Sequence, residues 1–356
     1  YLDSAATAQK PVRAVALFSG GLDSILAARV VAAQGIEILA VKFVTPFFHY
    51  DLLADVACYR REVLEKYGLE VVVEDISEGY LELLHHPRHG FGRHFNPCID
   101  CKIMMLQRAK KMMAEVGASF LVTGEVLGQR PMSQRLDTLN VIGRDSGSRS
   151  ILLRPLSARL LPETMPEQQG LVDRSRLFDF SGRGRSRQIA LAAEFGIRDF
   201  PSPAGGCILA DPILSRRLER LYGGQLTLPI ADITVADVRL LLVGRQFVLP
   251  GGGWLVVGRI EAENDRLLGL AGADDAVLRI QERPGPIAII RRAARCYPDP
   301  AALTADLALA ASLVARYARK IDGRPRAGEI IITLAGRERH VAAAPADDAD
   351  FAGWML

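Results

Sequence analysis

Two groups of residues in this chain have the types and spacing to do chemistry. The first is Ser19-Gly20-Gly21-Leu22-Asp23-Ser24. The apolar run before it, Val15-Ala16-Leu17-Phe18, reads as a buried strand, and Ile25 to Val31 after it reads as a helix. Two glycines between them let the backbone turn sharply and leave amides uncovered at a helix N-terminus, where an anion is favoured. The hydroxyls of Ser19 and Ser24 can add hydrogen bonds to phosphate oxygens. Asp23 would repel such a ligand unless a cation lay between them, so its presence predicts Mg²⁺ shared with a polyphosphate. The Lys-Ser/Thr ending of a Walker loop is absent.

The second group is Cys98-Ile99-Asp100-Cys101 together with Cys207. The C-x-x-C pair precedes an amphipathic run from Ile103 to Val116, so it sits at or near a helix N-terminus, where helix polarity favours thiolate. Alone, such a pair is a redox dithiol, half a zinc site, part of an iron–sulfur site or a structural coincidence. Cys207 ends the stretch Pro201-Ser202-Pro203-Ala204-Gly205-Gly206-Cys207, off any periodic core face, so its side chain is expected to face a site. A structural zinc ion normally takes a fourth Cys or His. Three thiolates can instead hold three irons of a 4Fe–4S cluster and leave one iron open. Cys58 reads as a small buried hydrophobe and Cys296 as an ordinary partly buried thiol.

The elements that must position these groups alternate regularly. Strands are expected at Ile36–Val44, Glu70–Ile76, Phe120–Glu125 and Ile151–Leu156, with helices at Leu52–Tyr67, after Cys101 and over Gln188–Phe195. This is the pattern of an α/β domain with a parallel sheet and right-handed crossovers. Ligands in such sheets bind at the carboxyl ends of strands, where the Ser19–Ser24 loop lies. Near Gly223 the character changes to strands in close succession (246–249, 254–257, 276–280, 287–290), a helix over 300–320 and a strand at 329–333. The expected organisation is a disordered leader over 1–12, an α/β domain over 13–222 and a smaller α+β domain over 223–356.

Bulk properties bound the function. A 356-residue chain with 49% apolar and 24% charged residues has room for two globular domains, and no apolar run reaches membrane-spanning length. Five cysteines argue against a disulfide scaffold and for reduced thiols in the cytoplasm. A net charge of +3 is too small to imply nucleic-acid binding by itself, so clustering must carry that inference. One basic tract, Gly182-Arg183-Gly184-Arg185-Ser186-Arg187, reads as a phosphate contact or a solvated turn. The segment His85–Pro97 holds four of the six histidines without metalloprotease spacing and reads as an RNA- or ATP-facing loop.

The complete Ser-Gly-Gly-x-Asp-Ser string between strand and helix resembles the PP-loop ATPases, the N-type ATP pyrophosphatases, which adenylate a substrate and release pyrophosphate. Thr123-Gly124-Glu125, followed by Gly128-Gln129 and Ser133-Gln134, is similar to the adenylation domain of the tRNA 4-thiouridine synthetases. Asn96-Pro97-Cys98 through Lys102 and Gly205-Gly206-Cys207 resemble the short, cluster-dependent tRNA-thiolating members. The resemblance implies that Ser19, Gly20, Gly21, Asp23 and Ser24 bind ATP phosphates with Mg²⁺, and that Gly124, Gln129, Ser133 and Gln134 line the nucleotide or target-base pocket. It implies either that Cys98, Cys101 and Cys207 hold a 4Fe–4S cluster or that Cys101 and Cys207 act as a persulfide pair. No ferredoxin-like or THUMP module precedes Ser19 in this sequence, so the grip on tRNA is expected elsewhere.

Residues 245–342 supply a candidate. Gly258-Arg259 to Asn264, the turn Arg283-Pro284-Gly285-Pro286 and Tyr317 before a strand resemble the RNA-binding NFACT-R domain, which implies that Arg259, Asn264, Arg291 and Arg292 contact RNA. The function expected from these resemblances is an ATP-dependent tRNA sulfurtransferase using sulfide or a cysteine desulfurase as sulfur source; a homodimer is left open. The rivals are thiolation or amidation of a small molecule, and a non-catalytic RNA adaptor with a vestigial nucleotide fold.

Overall fold

The computed structural model describes residues 11–202, 207–226 and 228–356. Most of the expected leader and Pro203–Gly206 of the cysteine loop lie outside the described residues. The chain divides into two compact units, one ending at Cys207 and the other starting at Ile208. The expected boundary at 222/223 is therefore too late, and the basic helix that ends at Tyr222 belongs with the second unit.

The first unit runs β1 (Arg13–Leu17), α1 (Leu22–Ala32), β2 (Glu37–Val44), α2 (Val56–Tyr67), β3 (Glu70–Asp75), α3 (Ser77–His85), α4 (Cys98–Glu115), β4 (Phe120–Thr123), α5 (Leu136–Asp145), β5 (Leu152–Leu153), α6 (Met165–Gln168) and α7 (Ser186–Glu194). Its five strands are parallel in the order β3-β2-β1-β4-β5. Strand order reverses between β1 and β4, which opens a crevice at their carboxyl ends. The segments leaving those two strands are Phe18–Gly21 and Gly124–Val126, so topology alone brings the expected phosphate loop and the Thr-Gly-Glu segment together.

Helices cover both faces of this sheet. On one, Leu22, Ile25 and Leu26 of α1 pack with Leu191 and Ala192 of α7 against Ala14, Ala16 and Val122. On the other, Ile103, Leu106, Ala109 and Met112 form the buried stripe of α4 and meet Val15, Val41 and Leu121, with Ile142 of α5 alongside. Their three-residue spacing puts them on one helical face, and each fully buried aliphatic side chain contributes about 1.5–3 kcal/mol. α4 is thereby fixed with its N-terminal cysteines at one end of the sheet. α2 starts later than periodicity predicts because Asp55 caps it, accepting from Cys58 N at 2.9 Å.

The second unit runs α8 (Pro212–Tyr222), α9 (Val235–Leu241), β6 (Arg245–Val248), β7 (Trp254–Val257), α10 (Glu261–Leu270), β8 (Ala276–Ile280), β9 (Ala288–Ile290), α11 (Pro300–Tyr317), β10 (Gly328–Leu334), β11 (Arg337–Ala343) and α12 (Asp348–Phe351). Its sheet is antiparallel, in the order β11-β10-β8-β9-β7-β6. The core lies between that sheet and α11, through Ala310, Ala311 and Val314 against Leu278, Ile290 and Ile330. Among the described residues no helix is long and apolar enough to cross a membrane.

Candidate active site

The Ser19–Ser24 loop owes its shape to its glycines. Gly20 has φ +83°, a conformation that side chains disfavour. Gly21 precedes α1 and has no side chain to cap it, so early amides of the helix are left for a ligand. Ser19 Oγ accepts from Gly21 N at 3.2 Å and bonds Ser24 Oγ at 3.2 Å, while Ser24 Oγ donates to Gly21 O at 2.7 Å. Both serines are thus pre-set around the turn. From β4, Gly124 closes on the same loop: a Cβ there would stand 2.5 Å from the Asp23 carbonyl and 2.6 Å from Ser24 N. Gly124 therefore lets two backbones touch, rather than serving only as a pocket wall.

Asp23 sits on the first turn of α1, half-buried, and burial raises its pKa. Gln129, Arg185, Arg130 and Gln188 partly offset that penalty. Even so, Asp23 Oδ1, Gln188 Nε2 and Arg185 Nε are buried with no hydrogen-bond partner among the described residues. A buried orphan oxygen is costly unless something completes it. A hard carboxylate oxygen beside a phosphate loop fits Mg²⁺. Arg185 and Gln188 come from the Gly-Arg tract and α7, so that tract reaches the loop.

Lys42 gave no sequence signal. It lies within β2 as one polar residue in the run Val41-Lys42-Phe43, and it is 2% exposed. Its Nζ donates to the Ser19 carbonyl, lies 5.9 Å from the centre of the Tyr59 ring, and has no carboxylate within ion-pair distance among the described residues. Burial lowers its pKa to about 8, and burial together with the Lys42 charge lowers that of His49 to about 4. An ammonium held this way points a positive charge at the loop that Asp23 makes negative.

Gln129 faces Asp23, whereas Gln134 is buried and its Oε1 accepts from Arg130 N at 3.1 Å, so Gln134 builds the loop. Ser133 is buried beside it. Glu125, 2% exposed, meets Arg154 Nε at 2.9 Å and Lys102 Nζ at 3.7 Å. Burial raises its pKa, but Arg154 and Lys102 outweigh that and hold the carboxyl below its ordinary value. Lys102 directly follows Cys101, so this ion pair ties α4 to the segment after β4.

The thiols converge at that end of α4. Cys98 Sγ bonds Asn96 Oδ1 at 3.1 Å. Burial raises the pKa of Cys101 to about 12; the Tyr80 hydroxyl bonded to it and Lys102 ease the shift, and the neighbouring Cys207 and Cys98 add to it. Cys207, on the last residue of the loop, is half-buried and close enough to act on both Cys101 and Tyr80. Cys98 is also raised by burial and eased by Asn96, Lys102 and Arg130. No three His, Cys, Asp or Glu side chains among the described residues are arranged around one metal ion. Cys98, Cys101 and Cys207 are soft donors, the type that an iron–sulfur group takes, one thiolate to each iron.

Arg130 joins the two halves of the site. Its charge favours the ionised forms of both Asp23 and Cys98, so the phosphate loop and the thiols lie within electrostatic reach of one side chain. The histidine-rich loop packs against the C-x-x-C turn: His89 N donates to Asp100 Oδ2 at 2.8 Å, and His89 Nε2 is 3.0 Å from Asp145 Oδ2.

In the second unit, the residues expected to meet RNA are engaged within the fold. Arg291, 8% exposed, pairs with Asp237 at 2.6 Å and Asp275 at 2.8 Å. Arg292 bonds Asp237 Oδ2 at 2.8 Å and Asp232 O at 2.7 Å. Asn264 Oδ1 accepts from Ile287 N at 3.0 Å and its Nδ2 donates to Gly285 O at 3.4 Å. Arg259 is exposed but held in an i,i+4 pair with Glu263 at 2.5 Å. Burial among carboxylates makes Arg291 and Arg292 scaffold, correcting the expectation for those two. Asn264 clamps the Pro-Gly turn.

Comparison with known proteins agrees with this division. Residues 10–159 match the family model described as thiamine biosynthesis protein (ThiI), and residues 244–355 match the NFACT protein RNA binding domain. A tRNA sulfurtransferase of Desulfurococcus amylolyticus is 28% identical over 176 residues, 48% of this chain and 34% of that protein. A probable tRNA sulfurtransferase of Thermoanaerobacter sp. is 31% identical over 131 residues, 36% of this chain and 33% of that protein. The chain thus spans about a third of the length of these curated relatives. Among solved structures, a 4-thiouridine synthetase–RNA complex with bound ATP is 24% identical with a TM-score of 0.39, covering 60% of this chain and 51% of that one. The U34-tRNA thiolase NcsA of Methanococcus maripaludis with its [4Fe-4S] cluster is 16% identical with a TM-score of 0.33, covering 65% and 81%.

Proposed function

We propose that this chain is an ATP-dependent tRNA sulfurtransferase, which adenylates a uridine carbonyl and replaces its oxygen with sulfur. The observation that carries the reading is that Gly124 closes on Asp23 while the next residue, Glu125, pairs with Lys102 beside Cys101, so one segment touches both the phosphate loop and the thiol end of α4. An activation site and a sulfur site joined by one segment suit a reaction in which a carbonyl is first adenylated and then attacked by sulfur. The match of residues 10–159 to the ThiI model, the tRNA sulfurtransferase relatives and the match of residues 244–355 to an RNA-binding domain support the same reading.

In this reading the amides at the start of α1, with the Ser19 and Ser24 hydroxyls, hold the phosphates of ATP. Asp23 would hold Mg²⁺ through its unpartnered Oδ1, and that ion would neutralise charge on departing pyrophosphate. The uridine carbonyl oxygen attacks the α-phosphorus, the bond to pyrophosphate breaks, and the oxygen leaves with AMP once sulfur has added to the carbon. Lys42 and Arg185 bring positive charge to the loop, and Gln129 orients the Asp23 carboxylate. A 4Fe–4S group held by Cys98, Cys101 and Cys207 would supply sulfide to the activated carbon. Lys102, anchored by Glu125, keeps a cation beside those thiols.

Nucleoside mass spectrometry of tRNA from a strain lacking this chain tests the proposal. One thiouridine should disappear and return on complementation with the wild type, but not with Asp23→Ala or with any of Cys98→Ala, Cys101→Ala and Cys207→Ala. An unchanged set of thionucleosides would refute the assignment, and rescue by Cys98→Ala would replace the cluster with a persulfide pair.

A further inference from the structure

The arginines that resemblance marks as RNA contacts are largely committed inside the fold, so the cations of the second unit available to a partner lie elsewhere. They stand out between α11 and β10. There Arg319, Lys320, Arg324 and Arg326 are all exposed, and none forms an ion pair among the described residues. Asp322 is the one acid in the same stretch.

This segment is a built hairpin. Ile321 N donates to Arg324 O and Arg324 N to Ile321 O, both at 3.0 Å, around a turn with positive φ at Asp322 (51°) and Gly323 (73°). Such a turn has a fixed shape. Its base is braced twice. Arg319 N donates to Pro284 O at 2.8 Å, and the Arg283 guanidinium donates to Ala327 O at 3.2 Å and Arg326 O at 2.5 Å. Pro284 belongs to the turn that Asn264 clamps. The motif residues therefore act as scaffold, and what they hold in place is a braced loop carrying four positive charges with no ion pair among the described residues.

We propose that the hairpin over residues 318–327 is the RNA-contacting surface of the second unit, taking the sugar–phosphate backbone of tRNA. This rests on the reading of the chain as a tRNA-modifying enzyme. Charge complementarity identifies the partner: four cations on a braced backbone suit a polyanion. The hairpin carries no aromatic side chain, so it offers phosphate contacts rather than base stacking.

The test is tRNA affinity of the full chain against salt. Wild type should weaken steeply as salt rises. The variant Arg319→Gln/Lys320→Gln/Arg324→Gln/Arg326→Gln should bind on the order of tenfold or more weakly at low salt, with a log–log slope shallower by about 3, as loss of four phosphate contacts predicts. The milder Lys320→Gln/Arg324→Gln should lose about half that slope, which keeps the test available if the fourfold variant fails to fold. Arg337→Gln/Arg339→Gln is the control for charge alone; these exposed arginines lie on β11, about 14–20 Å along the β10–β11 ladder from the hairpin base. If the hairpin variants bind tRNA like wild type, the proposal fails while the sulfurtransferase reading stands. An equal loss in the control, or a loss confined to anionic lipid vesicles, also overturns it. If wild type itself shows no salt-dependent tRNA binding, the sulfurtransferase reading falls too.

Discussion

Asp237, Asp275 and Asp306 of the second unit and Asp23 and Glu125 of the first are treated in opposite ways. In the second, Asp237 accepts from Arg291, Arg292 and Thr234, Asp275 from Arg291, Arg292 and Gly272, and Asp306 from Gly251, Gly253 and Tyr297, so every oxygen has a partner. In the first, Asp23 Oδ1 and Glu125 Oε1 are buried without a hydrogen bond, and Arg154 Nη2 and Gln188 Nε2 nearby share that state. Leaving a buried carboxylate oxygen incomplete costs about 1–3 kcal/mol. Completed carboxylates mark scaffold, and incomplete ones mark where a ligand finishes the structure. By that criterion the first unit is left open to a ligand around Asp23, whereas Arg291 and Arg292 are held inside the fold.

The contrast can be broken from either side. The largest effect is expected at Asp237. Asp237→Ala leaves two guanidinium groups buried without their shared carboxylate and should destabilise the second unit by about 3–5 kcal/mol, read as an earlier denaturant transition. Asp23→Asn should do the reverse, keeping or raising stability while cutting ATP-to-AMP turnover about 10²–10³-fold, the usual cost of removing one charge-stabilising group. If Asp23→Asn unfolds the protein, or if Asp237→Ala leaves stability intact, the criterion is wrong.

Lys42 sharpens the comparison, since it is a buried cation with no carboxylate partner among the described residues. Its pKa falls from 10.5 to about 8 in the fold. A lowered lysine pKa means the folded state binds the proton less well, so stability is reduced below about pH 8 and recovered as pH rises toward 10.5. Lys42→Met removes that cost, at most about 3 kcal/mol, and should raise the melting temperature at pH 7. The same change should raise the KM for ATP about tenfold, the loss of one charge-assisted contact. In wild type the KM should climb above about pH 8 as the ammonium, set against Tyr59 and His49, deprotonates. A pH-independent KM, or a Lys42→Met protein that binds ATP normally, would remove Lys42 from the site. The smallest effect is expected at Arg259, where Arg259→Gln breaks an exposed pair with Glu263 and should cost less than about 1 kcal/mol and change tRNA affinity less than threefold.

What was legible in the sequence was local. Ser19–Ser24 and Cys98–Cys101 carry their geometry within a few residues, and strand–helix alternation placed them at the carboxyl ends of a parallel sheet. Lys42 was invisible because one lysine inside an apolar strand looks the same whether it points at solvent or at a neighbouring turn. Gly124 was found by motif, but its role against Asp23 depends on β1 and β4 being neighbours. Arg291 and Arg292 were misread because a basic pair after a strand has no local sign of the two aspartates folded against it, 54 and 16 residues away from Arg291. α10 buries only Leu267 along its ten residues and so shows no apolar stripe. β11 is exposed along nearly its whole length, so it lacks the alternation that marks a strand.

The central claim is that one site couples ATP activation to sulfur transfer onto tRNA. The most direct measurement incubates anaerobically reconstituted full-length protein with ATP, sulfide and tRNA, then quantifies AMP and digested nucleosides together. The account predicts one AMP per thiouridine formed, with neither product from Asp23→Asn and no thiouridine from Cys101→Ala. AMP accumulating with no thionucleoside in the tRNA, under conditions where all three thiols are intact, would contradict it.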